Sequence, residues 1–264
     1  MSLVEVRGLH FRYPVTRLGR ETPWTLEGLD LDIERGSSVG VVGESGSGKS
    51  TLVRVLCGLM VHQQGEVRFD GRDLKDWLAS GGREIRWRNQ IVFQNPRRSL
   101  DPRMTIRASL SEPVEALERR RPSDQEIVDW LKQVGLNDDV LPRYPHQLSG
   151  GQLQRVGVAR ALSVKPDVLY ADEPTSALDV SIQAQVLNLL MDVRARLGLT
   201  LVMISHDLAV ISRICQKVIV MKAGRIVETG TMKEILSHSS SPYTASLVQS
   251  ARLVSLKARS RDEP

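Results

Sequence analysis

The stretch GESGSGKS, Gly43 to Ser50, constrains the fold of this chain more than any other feature, because of what flanks it. Before it stands the apolar run Val39 to Val42, and after it Leu52, Val53, Val55, Leu56 and Leu59 recur at helical spacing. The run predicts a fully buried parallel strand and the recurrence an amphipathic helix. Strand, glycine-rich loop and helix in that order make a phosphate cradle, in which backbone N–H groups and the positive helix end converge on anionic oxygens. Within the pattern G-x-x-x-x-G-K-[ST], Gly46 and Gly48 let the backbone come close. Lys49 reaches the β- and γ-phosphates, and the Ser50 hydroxyl holds Mg²⁺.

The remainder of the chain predicts a sheet for this loop to belong to. With 264 residues, 41% of them hydrophobic, there is material for one large domain or two small ones with a buried core. LVEVRGLHFRY and LEGLDLDIERG read as strands; in the second, Leu29, Leu31 and Ile33 alternate with acids, as in a half-buried antiparallel sheet. From about Asn95 to Leu162 the pattern turns helical, and PSDQEIVDWLKQVGL opens with Ser123 and Glu126 placed as a capping box. Strands and helices then alternate: DVLYADE, a helix ending at Gly198, LTLVMISH, LAVISRIC, and a hairpin in KVIVMKAGRIVETG. The last stretch, with SHSSSPY and RLVSLKARSRDEP, reads as a loosely held tail.

Composition narrows the function classes. The longest apolar runs, such as Leu199 to Ile204, fall far short of the roughly 20 residues that span a bilayer. MSLVEVRGLH has no signal-peptide core, so the expected compartment is the cytoplasm. Cys57 and Cys215 lie in apolar surroundings and read as buried hydrophobes rather than a disulfide or metal pair. The net charge of +5 raises the question of nucleic acid. The basic clusters at Arg97-Arg98, Arg119 to Arg121 and the tail lack an aromatic platform, with only 4% aromatic residues, and read as solvated or membrane-proximal surface.

Further residues complete a nucleotide site. VLYADE ends an apolar strand with Asp172 and Glu173; adjacent carboxylates there are costly unless a cation sits with them. Asp172 is the expected Mg²⁺ residue and Glu173 the general base that polarises the attacking water. His206 in ISHD ends the next strand, where it either hydrogen-bonds the γ-phosphate or serves structure, and Gln94 in IVFQN ends another, within reach of metal and water. Ser149, Gly150 and Gly151 stand just before a helix that begins near Gln152, a second place where a hydroxyl and backbone amides meet an anion.

In this order, the residues resemble the nucleotide-binding subunit of ATP-binding cassette (ABC) transporters over essentially the whole chain. The resemblance implies an α/β fold: a RecA-like P-loop NTPase core (1–94 and 163–235) with an N-terminal antiparallel β-sheet, an inserted helical subdomain (95–162) and a short C-terminal tail (236–264). It implies ATP and Mg²⁺ as ligands, with Gly43, Glu44, Ser45, Gly46, Ser47, Gly48, Lys49, Ser50 and Thr51 around the phosphates and Tyr13 stacked on adenine. Ser50, Gln94 and Asp172 are the implied metal residues, and Glu173, His206 and Gln94 the catalytic ones. LSGGQ, Leu148 to Gln152, resembles the signature motif, which meets the γ-phosphate held by a second cassette in a head-to-tail dimer; Ser176 to Asp179 resemble the loop lining that interface. Two permease subunits and an extracytoplasmic solute-binding protein are the implied partners, with this chain peripheral on the cytoplasmic face of the membrane and no nucleic acid involved.

VFQNPRRSLDPRMTI and SPYTASLVQS resemble segments of the oligopeptide, dipeptide and nickel importers, so peptide, nickel or a metal chelate are the implied cargoes. The cysteine cluster that many of that group carry after the PYT is not in this sequence. The rival within the superfamily is a soluble ATPase acting on DNA or ribosomes, which would bring long heptad insertions or a second cassette. A GTPase switch would need an N-K-x-D-type segment, and the sequence has none.

Overall fold

The computed structural model describes residues 2–14, 22–176 and 178–259. Its contacts divide into two compact units, one from the described residues of Met1–Asp76 and Val202–Pro264, the other Trp77–Leu201.

The first unit opens with strands β1 (Ser2–Phe11), β2 (Leu26–Glu34) and β3 (Ser38–Val42), helix α1 (Lys49–Leu56), and strands β4 (Gln64–Phe69) and β5 (Arg72–Asp73). The alternation in β2 is realised: Leu29, Leu31 and Ile33 are buried and the intervening acids exposed. β1 pairs antiparallel with β2 on one side and β4 on the other, giving a sheet in the order β2-β1-β4-β5. Strands β4 and β5 lie outside the sequence expectation; in QGEVRF only Val67 and Phe69 are buried, too short an alternation to stand out.

α1 takes over directly from the glycine-rich loop. Gly48 is its N-cap and gives no side-chain cap, so the first-turn amides are not covered by a local side chain. With glycine at the cap, forgoing a side-chain cap costs only about 0.3 kcal/mol. Packing outweighs that, because Leu52, Val53, Val55 and Leu56 are all buried, at roughly 2 kcal/mol each. The helix stops at Leu56 with Cys57 as cap, so Leu59, expected on its apolar face, lies beyond it and is 51% exposed. Both Cys57 and Cys215 are buried, and neither is in a disulfide.

The second unit holds α2 (Leu74–Ala79) in part, then α3 (Arg83–Arg88), β6 (Asn89–Val92), α4 (Pro96–Ser99), α5 (Ile106–Glu118), α6 (Asp124–Gln133), α7 (Gly150–Leu162), β7 (Val168–Asp172) and α8 (Val180–Leu197). Between Asn95 and Leu162 every regular element is helical, as the pattern predicts. β6 and β7 run parallel, Val92 opposite Ala171. Tyr170, fully buried in β7, donates its hydroxyl to Asn89 Oδ1 at 3.2 Å, so this bulky residue in the strand leaves no orphaned polar atom.

The chain then returns to the first unit through β8 (Thr200–Ser205), α9 (Leu208–Ile214), β9 (Lys217–Lys222), β10 (Arg225–Thr231), α10 (Met232–His238) and α11 (Pro242–Arg259). β9 and β10 form the expected hairpin, and the order β10-β9-β3-β8 places the fully buried β3 between β9 and β8. β3 pairs parallel with β9. The segment read as a loose tail differs: α11 occupies it from Pro242 to Arg259. Its start is tied to the hairpin, since Glu228 on β10 accepts the amides of Ser240 at 2.7 Å and Ser241 at 3.1 Å. Burial pushes the Glu228 carboxyl up, and the hydrogen bonds from this segment pull it further down, leaving it below its usual range.

The predicted capping box of α6 is formed, with Glu126 N donating to Ser123 Oγ and Ser123 N to Glu126 Oε2 at 2.8 Å. The Arg120 guanidinium first, then the Ser123 amide, hold the Glu126 carboxyl down at about 2, against 4.5 ordinarily. A depressed carboxylate stabilises the fold above its unfolded pKa and ceases to as pH falls through its folded one. The thermal midpoint is therefore expected to drop between pH about 4.5 and about 2, and Glu126→Gln to lower the midpoint at neutral pH while flattening that acid slope. Melts across this range check it; parallel acid slopes for the two proteins would refute it.

Candidate active site

In the first unit the loop 43–48 leaves the end of β3 and enters α1. Gly43 faces the β9–β10 hairpin so closely that a Cβ there would lie 2.1 Å from the Met221 carbonyl oxygen. Gly46 is the opposite case: φ is +81° and nothing lies within 4 Å of where a Cβ would be. At Gly46 the backbone conformation alone asks for glycine, and its open side is where a ligand can approach. Gly48 also has a positive φ, +99°, and its Cβ position would lie 3.0 Å from the Thr25 carbonyl oxygen, so both conformation and space ask for glycine there.

Lys49 is only 5% exposed. Its ammonium donates to the carbonyl oxygens of Gly43 at 2.8 Å and Glu44 at 2.7 Å and lies 3.4 Å from Ser47 Oγ, so the charge is folded back across the loop. Ser47 N–H donates to Glu44 O at 3.2 Å, and Gly224 N–H on the hairpin turn donates to Ser47 O at 3.1 Å. Glu44, Ser45 and Gly46 are exposed, Ser50 is half-buried and Thr51 buried. The Thr51 hydroxyl stands 3.1 Å from the Tyr13 hydroxyl, which fixes a ring that is 38% exposed and edge-on to Phe11. Tyr13 is thereby held beside α1. His206, exposed, follows β8, the strand next to β3.

In the second unit the parallel pairing of β6 and β7 does for Gln94 and Glu173 what local sequence cannot. Gln94 Nε2 donates to Glu173 Oε2 and to Ser176 Oγ, both at 3.0 Å. Asp172, at the end of β7, is 7% exposed. Glu173 has φ +45°, a left-handed conformation that costs a non-glycine residue about 1 kcal/mol or more. Ser176 closes the turn by donating its amide and hydroxyl to Glu173 O. Both Gln94 bonds come from Nε2, so neither uses Oε1, the atom a hard cation takes. Gln94 Oε1 and the Asp172 carboxylate of this unit are oxygen donors, the kind that suits Mg²⁺, and the Ser50 hydroxyl of the first unit is a donor of the same kind.

The signature stretch starts its helix two residues earlier than expected. Gly150 is the first residue of α7, and Ser149 caps it: Ser149 Oγ accepts from Gln152 N–H at 3.3 Å and Gln152 Oε1 from Ser149 N–H at 3.0 Å. Ser149-x-x-Gln152 is a capping box, the same signal read at Ser123 and Glu126. Gly151 is held to glycine by its neighbour, since a Cβ there would come 2.6 Å from Ile182 Cγ2, while one on Gly150 would press Leu178 Cδ2 at 3.2 Å. α7 thus abuts α8 with exposed Ser149 at its tip and first-turn amides that have no acceptor inside the helix. Asp179 is the exposed N-cap residue of α8 and makes no side-chain cap bond. Ala177, in the same loop, lies outside the described residues.

Among known families, the model described as "ABC transporter" matches residues 26–176. The dipeptide transport ATP-binding protein DppF of Lactococcus lactis subsp. cremoris is 42% identical over 94% of this chain and 81% of its own length. A putative peptide import ATP-binding protein of Brucella ovis is 47% identical over 93% and 77%, and the oligopeptide transport ATP-binding protein OppF of Salmonella typhimurium 42% over 93% and 76%. Among solved structures, CbiO1 of Clostridium perfringens, part of the ABC transporter complex CbiONQ, aligns with a TM-score of 0.77 at 29% identity over 90% of this chain and 91% of its own. The dimeric post-hydrolysis state of the ATP-binding cassette MJ0796, bound to ADP and Pi, aligns with 0.76 at 30% identity over 87% and 98%.

Proposed function

This chain belongs to the ABC transporter family and is one of its ATPases, and from that premise we propose that it drives peptide import as one of two cassettes on a pair of permease subunits. What carries the choice of cargo is likeness over 93% or more of the chain to proteins named for dipeptide, oligopeptide and peptide import; that favours peptide over nickel or a chelate. The membrane face it works from is the cytoplasmic one, and an extracytoplasmic solute-binding protein delivers the cargo. Among the described residues no helix is long and apolar enough to cross a membrane, in keeping with a peripheral subunit.

Each residue has a chemical task in ATP cleavage. Amides around Gly46 and at the uncapped start of α1 take phosphate oxygens, and Lys49 exchanges the carbonyls of Gly43 and Glu44 for the β- and γ-phosphates. Ser50, Asp172 and Gln94 Oε1 would hold Mg²⁺, which would neutralise charge on those phosphates. Glu173 accepts the proton of the attacking water, and Gln94, its hydrogen-bond partner, orients it. His206 donates to the γ-phosphate, and Tyr13 stacks on adenine. Ser149 with the amides of Gly150 and Gly151, beside Gln152 and Asp179, completes the site of the opposite cassette.

The cargo is tested by reconstituting the chain with its permease subunits in vesicles and following labelled peptide and labelled nickel with ATP on the cassette side. ATP-dependent uptake of peptide is expected; uptake of nickel alone would overturn the cargo, and turnover stimulated by DNA or ribosomes in its place would overturn transport. Ser149→Arg is expected to leave ATP affinity of the isolated chain within about twofold, yet lower turnover of the assembled transporter by at least ~10-fold, because the side chain fills the anion site offered to the other cassette. In a homodimer, mixing it with Lys49→Ala regenerates one intact composite site. Mixtures no more active than either variant alone would argue against the head-to-tail arrangement.

A further inference from the structure

We infer that Tyr243, in the PYT segment at the start of α11, is a positioning residue of the nucleotide site, acting on Lys49 through the peptide between Gly43 and Glu44. The inference rests on the loop 43–51 being the place where ATP binds. Glu44 N–H donates to Tyr243 Oη at 3.0 Å, and Gly43 O accepts from Lys49 Nζ at 2.8 Å. These two atoms belong to one peptide unit, and the described chain contains no cis peptide, so they lie in one plane and point in opposite directions within it. That plane is therefore pinned at both ends: the lysine ammonium holds its oxygen and the tyrosine its hydrogen. Any rotation of it moves Lys49's acceptor.

Tyr243 is itself held from several directions. Lys222, at the end of β9, sits over its ring with Nζ 4.7 Å from the centroid. Ser246 Oγ donates to the Tyr243 carbonyl at 2.7 Å. Glu228 fixes the turn before α11 by its bonds to Ser240 and Ser241. Gly43, on the other side of the pinned peptide, is backed by the Met221 carbonyl oxygen. Hairpin and C-terminal helix thus form one support behind the phosphate loop. When Lys49 leaves the Gly43 carbonyl for a phosphate, the Tyr243 bond keeps the peptide from swinging, so the ammonium has a fixed base from which to reach.

Tyr243→Phe removes the hydroxyl and keeps the ring over Lys222. Because Glu44 is exposed, water replaces the lost acceptor; the expected effect is on geometry rather than folding. The Kd for ATP and for ADP is expected to rise about three- to tenfold with an unchanged melting midpoint of the nucleotide-free chain. In the assembled transporter KM for ATP should rise while kcat stays within about twofold. The Glu44 amide resonance should shift in the nucleotide-free chain. In a Lys49→Gln background, where the ammonium is gone, the same substitution should change ATP affinity far less. Unchanged affinity in Tyr243→Phe, or an equal loss in both backgrounds, would overturn the role. Lys49→Ala is the companion arm: loss of binding there with an unaltered Tyr243→Phe refutes the positioning role alone, whereas unaltered binding in Lys49→Ala refutes the loop as the ATP site.

Discussion

Lys49→Ala is expected to raise the Kd for ATP by at least ~100-fold, and the reason lies in where the ammonium sits before nucleotide arrives. At 5% exposure it is largely desolvated, and its partners include two neutral carbonyl oxygens of its own loop, those of Gly43 and Glu44. Exchanging these two carbonyls for anionic phosphate oxygens sets the ammonium against full negative charge in a poorly solvated site, where Coulomb attraction is stronger than in water. Removing it from a partly dehydrated phosphate site forfeits about 3 kcal/mol or more, which is the hundredfold. The same substitution leaves those carbonyls without this donor, so the nucleotide-free chain should also be less stable, by roughly 1–3 kcal/mol, and melt lower. Calorimetric titration with Mg-ATP and a thermal melt separate the two effects. Unchanged affinity in a folded variant would refute the loop as the ATP site.

That prediction rests on residues whose meaning is legible in sequence, because a phosphate loop is local: strand, glycines, lysine and helix are contiguous, and buried runs such as Val39 to Val42 announce the strand that carries it. Alternation in β2, the capping box of α6 and the hairpin after Lys217 are legible for the same reason. Long-range pairings are not. Gln94 reaches Glu173 because β6 lies parallel to β7, and Tyr243 reaches Glu44 because Glu228 and the hairpin hold the start of α11; periodicity carries neither relation. Low-complexity SHSSSPY reads as a tail because the acceptor for its amides stands on another element. The two glycines of the signature stretch suggest a loop, yet both lie inside the first turn of α7, where Gly151 leaves room for Ile182. In that case the capping pattern Ser149-x-x-Gln152 is the local signal that places the start of α7 correctly.

Glu173→Gln is expected to lower ATP turnover by about 10²- to 10⁴-fold while nucleotide and Mg²⁺ binding persist. The substitution is nearly isosteric and keeps an oxygen that can accept from Gln94 Nε2, as Glu173 Oε2 now does at 3.0 Å, so the turn from Glu173 to Ser176 should survive. What disappears is the carboxylate able to take a proton from water. Backbone strain supplies an independent argument that the glutamate is kept for chemistry. At φ +45° a non-glycine residue carries a left-handed penalty of about 1–2 kcal/mol. Glycine would relieve that penalty, set against roughly 0.5–1 kcal/mol of its own chain entropy. Glu173→Gly also gives up the Gln94 bond, about 1 kcal/mol, so gain and losses nearly cancel: its stability should stay within about 1 kcal/mol of the parent while turnover falls as in Glu173→Gln. If cassettes close on ATP and part only after cleavage, Glu173→Gln should also accumulate as an ATP-bound dimer, seen by light scattering and absent with Mg-ADP. Where the partner cassette is a different chain with its own glutamate, cleavage at the second site reopens the pair, so both glutamates have to be changed. A doubly substituted pair that turns over ATP at the parent rate would remove Glu173 as the base and leave His206, at the end of β8, as the group to test next.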